Sequence, residues 1–375
     1  MSRPNSDENP PYNSRYVLSV EATCLAKERS GIGRYTFELV SALENLGQNT
    51  VLYTLEQAAN IPEIDNLRSK KIYLNGIFRK ILWVLFDHIK FLRIDWFLLA
   101  KPDFLIFPNF KYLRSNTPSI TIIHDISYTK RENWTSIGFN KRINRWGRVS
   151  TASNTKIATV SSTVAKEISA FYGISLHEIL ILKPGIASSM INCKLVEPQS
   201  KRGFLVVGTF EKRKNITSVV KAFNILDPEG QRQNPLTIVG RTGNDSHEII
   251  SLAKDNPYIT IINDIKDEDL ISQYQSNAYL ISGSNYEGYG MQIAEAMHFG
   301  LGLLLSDLEV HREVSGGFAE FFPVNDISIL AEKLSLLNIS YPKAYIDEAK
   351  KLSLGYTWDA TARVLLDHIN NVIKK

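Results

Sequence analysis

Asn285-Tyr286-Glu287-Gly288-Tyr289-Gly290-Met291-Gln292-Ile293-Ala294-Glu295-Ala296-Met297 places two glutamates eight positions apart, between the apolar run Ala278 to Ile281 and Gly300. The spacing predicts a strand, a glycine loop carrying one acid, and a helix carrying the second about one turn in. Glycines let a backbone approach a ligand closely, and a helix N-terminus offers unpaired N–H groups to an anion. One acid then stands beside the anion and one beyond it. That arrangement suits a nucleotide diphosphate joined to a polyol such as a sugar, whose hydroxyls donate to carboxylates on both sides of the phosphates. A plain helix with an acidic first turn and a surface Glu meets the same spacing.

The block resembles the Glu-x7-Glu motif of the retaining family-four glycosyltransferases, whose members have the GT-B fold. Tyr-Glu-Gly-Tyr-Gly-Met, Glu-Ala-Met and Gly300 follow that family's wording over about sixteen residues. The resemblance implies that Glu287 touches the donor sugar, that Glu295 holds the ribose, and that backbone amides around Gly290 and Met291 meet the diphosphate.

The remaining sequence agrees with a two-domain enzyme. A chain of 375 residues exceeds one ordinary core, and 44% hydrophobic residues suffice to fill two. Short apolar runs rich in β-branched and aromatic residues recur at Tyr16 to Val20, Thr50 to Leu55, Phe104 to Phe107, Ile120 to Ile123 and Ile157 to Val160. They recur again at Phe204 to Val207, Leu236 to Val239, Ile259 to Ile262, Tyr279 to Ile281 and Leu303 to Leu305. Helical patterns such as Gly33 to Leu46 separate them, which predicts an α/β protein with two Rossmann-like domains facing each other across a cleft. The expected limits are a flexible tail over 1–14, an acceptor-side domain over 15–190, a nucleotide-sugar domain over 200–357, and a helix over 358–375. In similar proteins that last helix returns to the first domain. The linker is expected near Pro184 to Arg202.

Met1 to Asn13 is polar and lacks a signal peptide's apolar core, so a cytoplasmic protein is expected. Cys24 and Cys193 give neither a disulfide framework nor a zinc cluster. Residues 1–198 hold 25 Lys and Arg against 17 Asp and Glu; subtraction from the totals of 43 and 39 leaves 18 against 22 for the rest. The first half is therefore expected to meet the anionic partner. Within Arg68 to Lys101, Arg79, Lys80, Lys90 and Arg93 interleave with Phe78, Trp83, Phe86, Phe91, Trp96 and Phe97. Such a stretch can lie on the anionic inner face of a membrane but cannot span one; core helices with solvated cations are the alternative. Lys141, Arg142, Arg145 and Arg148 fall near one helical face and add to it. Nucleic acid is not an expected partner, because the overall excess is +4 and no compact basic run occurs.

Three further motifs follow predicted strands. Ser30-Gly31-Ile32-Gly33-Arg34-Tyr35-Thr36 comes after the first strand and opens a helix; Gly31 and Gly33 resemble the family's loop that closes on the donor phosphates. His124-Asp125 follows Ile120 to Ile123, where an imidazole can face the cleft and donate to a sugar hydroxyl or to charge developing at the reacting carbon. Phe107-Pro108-Asn109-Phe110, Thr121 to Ser127 and Thr159-Val160-Ser161-Ser162 run in an order similar to the family's first domain, which implies His124 at the donor sugar. Gly208-Thr209-Phe210-Glu211-Lys212-Arg213-Lys214-Asn215-Ile216 brings cations to a helix start, where they can neutralise a departing nucleoside diphosphate.

The resemblance implies Lys214 at the diphosphate. Many members carry an arginine after the glycine, where this chain has Thr209, so Arg213 or Arg241 is expected to supply the second cation. Asp267-Glu268-Asp269 reads as an acidic N-cap and first turn, not as a metal motif. No metal and no cofactor are expected. Ile265 matches the position that packs against the base in similar enzymes.

The resemblance extends from Tyr16 to Leu366 and includes the closing Tyr356-Thr357-Trp358-Asp359. Its second-domain wording is most similar to bacterial mannosyl- and rhamnosyltransferases of surface polysaccharide assembly. The expected function is retaining transfer of a hexose, first mannose from GDP-mannose, from a nucleotide diphosphate sugar donor to a lipid-linked glycan acceptor. A sugar-nucleotide 2-epimerase of the same fold and a non-catalytic nucleotide-sugar-binding protein stay open beside it.

Overall fold

The computed structural model describes residues 16–26, 30–54, 62–73, 92–98, 101–109, 113–130, 134, 144, 147–148, 155–194 and 201–374. The tail over 1–14, the cations Arg79, Lys80 and Lys90, the aromatics Phe78, Trp83, Phe86 and Phe91, and Lys141, Arg142 and Arg145 lie outside these residues. Arg93 and Phe97 lie inside: the Arg93 Nε donates to Asn116 Oδ1 (3.2 Å), and Phe97 packs against a cluster containing Phe107 and Leu113.

Two parallel sheets form the frame. The first contains β1 Val17–Glu21, β2 Asn49–Thr54, β3 Lys70–Tyr73, β4 Phe104–Phe107, β5 Ser119–Ile123, β6 Lys156–Thr159 and β7 Ile179–Ile181, in the order β3-β2-β1-β4-β5-β6-β7. The second contains β8 Phe204–Val207, β9 Leu236–Gly240, β10 Ile259–Asn263, β11 Tyr279–Ser282, β12 Gly302–Ser306 and β13 Glu320–Phe322, in the order β10-β9-β8-β11-β12-β13. The central strands are continuous apolar runs because helices cover both faces of the sheet; all residues of β4, β5 and β12 are buried. Strand order reverses between β1 and β4 in one sheet and between β8 and β11 in the other. Ligands of open α/β sheets bind beyond the carboxyl ends of strands at such reversals.

The strands β3, β7 and β13 join the ten apolar runs read from sequence. All three are edge strands of three or four residues. One apolar cluster runs from Leu18 and Phe104 through Ile186 and Met190 to Leu205, Ile293 and Trp358, so the two Rossmann-like units share packed side chains.

Polar contacts add to this junction around the helix Ser162–Tyr172 of the first unit. Glu313 accepts the Ser162 and Thr163 backbone N–H groups, both at 2.9 Å, and Ser161 Oγ donates to the Gly288 carbonyl (2.7 Å). A helix start has orphan N–H donors, which a carboxylate satisfies well. The helix Trp358–Ile373, capped by Thr357 Oγ1 accepting from Ala360 N (3.2 Å), packs on the helix Gly31–Asn45. Its Thr361 hydroxyl donates to the Lys183 carbonyl.

Candidate functional site

The loops that leave β1, β5, β8 and β11 converge between the sheets. After β11, the chain turns through Ser284 to Gly290 and enters the helix Met291–His298. Gly290 has φ 97°, a left-handed conformation that favours glycine. A Cβ on Gly288 would collide with the His124 carbonyl oxygen, so only glycine lets this loop touch the first unit. The helix N-terminus behind Gly290 has no side-chain cap, and uncapped backbone N–H groups of this kind can hold an anion.

Glu287 is buried at the root of this loop. Its Oε1 pairs with Lys214 Nζ (2.5 Å) and accepts from Ser284 Oγ (2.9 Å); its Oε2 pairs with Arg213 NH1 (3.2 Å). Burial opposes ionisation, but the Lys214 and Arg213 charges outweigh it and draw the carboxyl down to about 2. Both cations come from the turn Lys212–Lys214 after β8, which Asn215 closes in a left-handed conformation (φ 50°).

Arg213 has further commitments: it donates to the Tyr286 carbonyl (3.2 Å) and pairs with Glu211 (3.3 Å). Arg241 lies 3.5 Å from Asp264, beside β9 and β10. Each of the three cations is thus paired with a carboxylate: Lys214 and Arg213 with Glu287, and Arg241 with Asp264.

Glu295 stands in the second turn of Met291–His298, also buried. Its Oε1 pairs with Arg34 NH1 (3.0 Å), and its Oε2 accepts from Tyr274 OH (2.7 Å). Burial dominates here and raises the carboxyl above its ordinary range, against the opposing pull of Arg34 and the Tyr274 bond. Gly31 and Gly33 do not form a free loop: they lie in the first turn of Gly31–Asn45, where Ser30 Oγ accepts the Gly33 N–H (3.1 Å). A Cβ on Gly31 would come within 3.6 Å of Met291 Cε, so this turn faces the start of the glutamate-bearing helix.

His124 is held from two sides. Its Nε2 lies 2.7 Å from the Pro108 carbonyl, and its ring meets the edge of Tyr35 with centroids 4.7 Å apart. Tyr35 in turn contacts Trp358 at 5.0 Å, so the closing segment of the chain supports the histidine through one ring. Burial lowers the His124 pKa and keeps the ring neutral, with the Pro108 bond and Asp125 opposing this in part. A carbonyl only accepts, so Nε2 carries the proton and Nδ1 is an acceptor. The Nε2 proton is thus already spent on Pro108, and Nδ1 is the acceptor of the neutral ring.

Ile265 is half-buried and packs against the large apolar cluster, next to Asp264 at φ 51°. The helix Asp267–Ser276 has three acids in its first turn, but Lys266 precedes it without a side-chain cap, so no acidic N-cap forms. Among the described residues, no three His, Cys, Asp or Glu side chains gather as a metal-ligand set. Among the same residues, no helix is long and apolar enough to cross a membrane.

Sequence reasoning missed Arg34, Tyr274 and Glu313. Arg34 lay inside the quoted glycine motif, but nothing local shows that its partner is on another unit. Glu313 carried no signal beyond its place after β12.

Two family models match consecutive parts of the chain: Glycosyltransferase Family 4 over residues 29–189 and Glycosyl transferases group 1 over residues 191–351. The chain belongs to glycosyltransferase family 4. Among curated proteins, this family 4 chain is 26% identical over 324 residues to the O-antigen chain mannosyltransferase B of Escherichia coli, covering 80% of this chain and 85% of that protein. It is 23% identical over 273 residues to the serotype-specific mannosyltransferase WbdA of Escherichia coli, covering 66% of this chain but only 33% of that protein. Among solved structures, a glycosyltransferase from Rickettsia africae ESF-5 aligns with TM-score 0.70 at 18% identity, over 97% of this chain and 100% of that one. That likeness is one of fold, and the fold is GT-B.

Proposed function

We propose that this glycosyltransferase is a metal-independent, retaining hexosyltransferase that moves mannose from GDP-mannose onto a growing lipid-linked glycan. The observation that carries the reading is the cluster of Lys214, Arg213 and Glu287 beside the uncapped start of the helix that bears Glu295. Its likeness to proteins named as O-antigen and serotype-specific mannosyltransferases supports the choice of sugar and acceptor class.

In this reading the diphosphate sits on the N–H groups behind Gly290, with Lys214 against the β-phosphate. Ribose hydroxyls donate to Glu295, and Ile265 packs on the base. The sugar lies between Glu287 and His124 Nδ1, both accepting from its hydroxyls. The acceptor oxygen forms its bond to C1 on the face that the phosphate leaves, as the C1–O bond to the phosphate breaks. The acceptor's proton passes to the departing phosphate oxygen. Lys214 and the helix N-terminus offset the charge that collects on the nucleoside diphosphate.

Incubation with radiolabelled GDP-mannose and a lipid-linked acceptor tests this directly. Transfer with an α-linked product from the α-linked donor, undiminished by EDTA, is the expected result. Transfer lost to EDTA and restored by Mg²⁺ or Mn²⁺ rejects the metal-independent route, and transfer from another donor alone rejects mannose. The basic aromatic stretch around 78–101 is proposed to lie on the inner face of the membrane. Sedimentation with anionic vesicles, weakening with salt and with Gln at Arg79, Lys80, Lys90 and Arg93, is the expected sign.

A further inference from the structure

The proposed function uses Glu295 for the ribose and leaves its two partners without a role. They reach it from opposite sides of the cleft. Arg34 stands on the first turn of Gly31–Asn45 in the first unit, with NH1 3.0 Å from Oε1. Tyr274 stands in Asp267–Ser276 of the second unit, with its hydroxyl 2.7 Å from Oε2. The Arg34 side chain is 14% exposed and the Glu295 side chain 5%, so little water screens the pair. Met190 Sδ, 3.5 Å from Arg34 NH2, holds the far edge of the guanidinium.

The charges around this carboxylate are unbalanced without Arg34. Asp267 and Tyr274 face it from one helix and Arg34 from another, on which Glu38 acts on Arg34 itself. His298, on the same helix as Glu295, is set instead against Met190 and Lys350. Arg34 is the cation of the set, and the remaining neighbours are acidic or neutral. A buried carboxyl left among them takes up a proton.

That proton matters to a ribose. An ionised carboxylate has about four lone-pair sites, of which Arg34 and Tyr274 use two. The remaining two match the two adjacent hydroxyls of a ribose. A protonated acid loses an acceptor site and forms weaker, uncharged bonds.

Resting on the reading of Glu295 as the ribose carboxylate, we infer that Arg34 is a positioning residue for nucleotide recognition, which reaches across the cleft to hold Glu295 as an anion aimed at both ribose hydroxyls. The second unit binds the nucleotide, and the first completes the site. Nucleotide recognition and approach of the two units are thereby coupled, because the charge that tunes the ribose contact belongs to the opposite wall.

Calorimetric titration of the full chain with GDP and 2′,3′-dideoxy-GDP, from about pH 6 to about pH 9, tests the inference and its foundation separately. The wild type is expected to prefer GDP by at least about tenfold, and Glu295→Ala to abolish that preference. A wild type indifferent to the hydroxyls, or a Glu295→Ala variant that keeps the preference, overturns the ribose reading itself. With that reading intact, Arg34→Met is expected to lose the preference at neutral pH and regain it toward high pH, where Glu295 ionises unaided. Its affinity for the dideoxy compound stays unchanged, which a merely misfolded site would not allow. Arg34→Lys, which keeps the charge, is expected to keep the preference. If Arg34→Met discriminates like the wild type at every pH, the inference is wrong. Should Arg34→Met fail to fold, Arg34→Gln and Arg34→Lys are compared, and equal discrimination by those two overturns it as well.

Discussion

Glu287 and Glu295 share one loop and one helix, and both are buried, yet their environments drive them in opposite directions. Lys214 and Arg213, from one turn of the same unit, hold Glu287 well below the usual carboxylate range. Glu295 has one cation, and that cation crosses from the first unit; burial wins, and the carboxyl is raised. Pairs of titratable groups pushed apart in this way mark a division of labour. Here the carboxylate that stays ionised to low pH stands beside the proposed sugar, and the one sensitive to its surroundings stands beside the proposed ribose.

The largest test of this contrast removes the cation that Glu287 holds beside the proposed phosphate site. Lys214→Ala is expected to reduce transfer by about 10²-fold or more. It is also expected to weaken nucleoside diphosphate binding by about 1.5–3 kcal/mol, the range of a charge-assisted contact. Initial rates and calorimetry measure the two losses. Unchanged kinetics in a folded variant remove Lys214 from the site.

Next in size is the split between the glutamates themselves. Glu287→Gln is expected to lower transfer by about 10²-fold while leaving nucleoside diphosphate affinity equal or tighter, since two cations lose their internal partner and gain attraction for the phosphates. The same substitution leaves buried charge unpaired, so the free protein loses roughly 3 kcal/mol, much of it recovered on saturation with nucleotide. Glu295→Ala is expected to do the reverse, weakening nucleotide binding about 10- to 100-fold. Equal loss of nucleotide affinity in both variants would break the division.

How far this arrangement was visible in sequence depends on whether the signal was local. The central strands announced themselves as apolar runs because parallel strands are buried on both faces. The edge strands β3, β7 and β13 did not: Lys70–Tyr73 begins with two lysines, and Glu320–Phe322 has three residues and an acid. Glu287 and Glu295 were readable because glycine, acid and helix lie within one short block. Their partners divide along the same line. Lys214 and Arg213 announced themselves as a cationic turn, whereas Arg34 and Tyr274 meet Glu295 only after two units have packed together. His124 was legible by its place after β5, but the spent Nε2 proton follows from the Pro108 carbonyl, which no spacing rule contains.

Acidification sharpens the comparison without any substitution. Glu295 is raised above an ordinary Glu at about 4.3, so it protonates first as pH falls, and nucleotide affinity is expected to decline while Glu287 is still an anion. The linkage signs differ as well. A raised carboxyl penalises its ionised form, so the stability associated with Glu295 falls as pH rises from the unfolded value through the folded one. The depressed Glu287 contributes stability that is fully present above about 4.3. That contribution is lost as pH falls toward about 2. Nucleotide affinity and thermal midpoint measured across the same buffers separate these effects. A coincident fall of both would mean that one group governs them.

The smallest expected effect comes from Glu313, a third carboxylate, which like the Glu295 pair spans the two units. It accepts two backbone N–H groups at the start of Ser162–Tyr172 and the Thr163 hydroxyl, each at 2.9 Å, and lies 3.4 Å from Lys183. Half-burial opposes its ionisation, but these N–H bonds prevail and lower its pKa. A carboxylate at a helix N-terminus contributes about 0.3–1 kcal/mol where it is exposed, and up to about 2 kcal/mol where it is partly buried. Glu313→Gln keeps one acceptor and removes the charge, so a loss of about 1 kcal/mol in thermal unfolding is expected. The junction around Gly288 should loosen with it, since Ser161, the N-cap of that helix, also holds the Gly288 carbonyl. Nucleoside diphosphate affinity should change little, because Glu313 touches neither Lys214 nor Glu295, while transfer, which needs both walls in place, should fall a few-fold. A nucleotide affinity that falls as far as in Glu295→Ala would show that every cross-cleft carboxylate serves nucleotide binding alike.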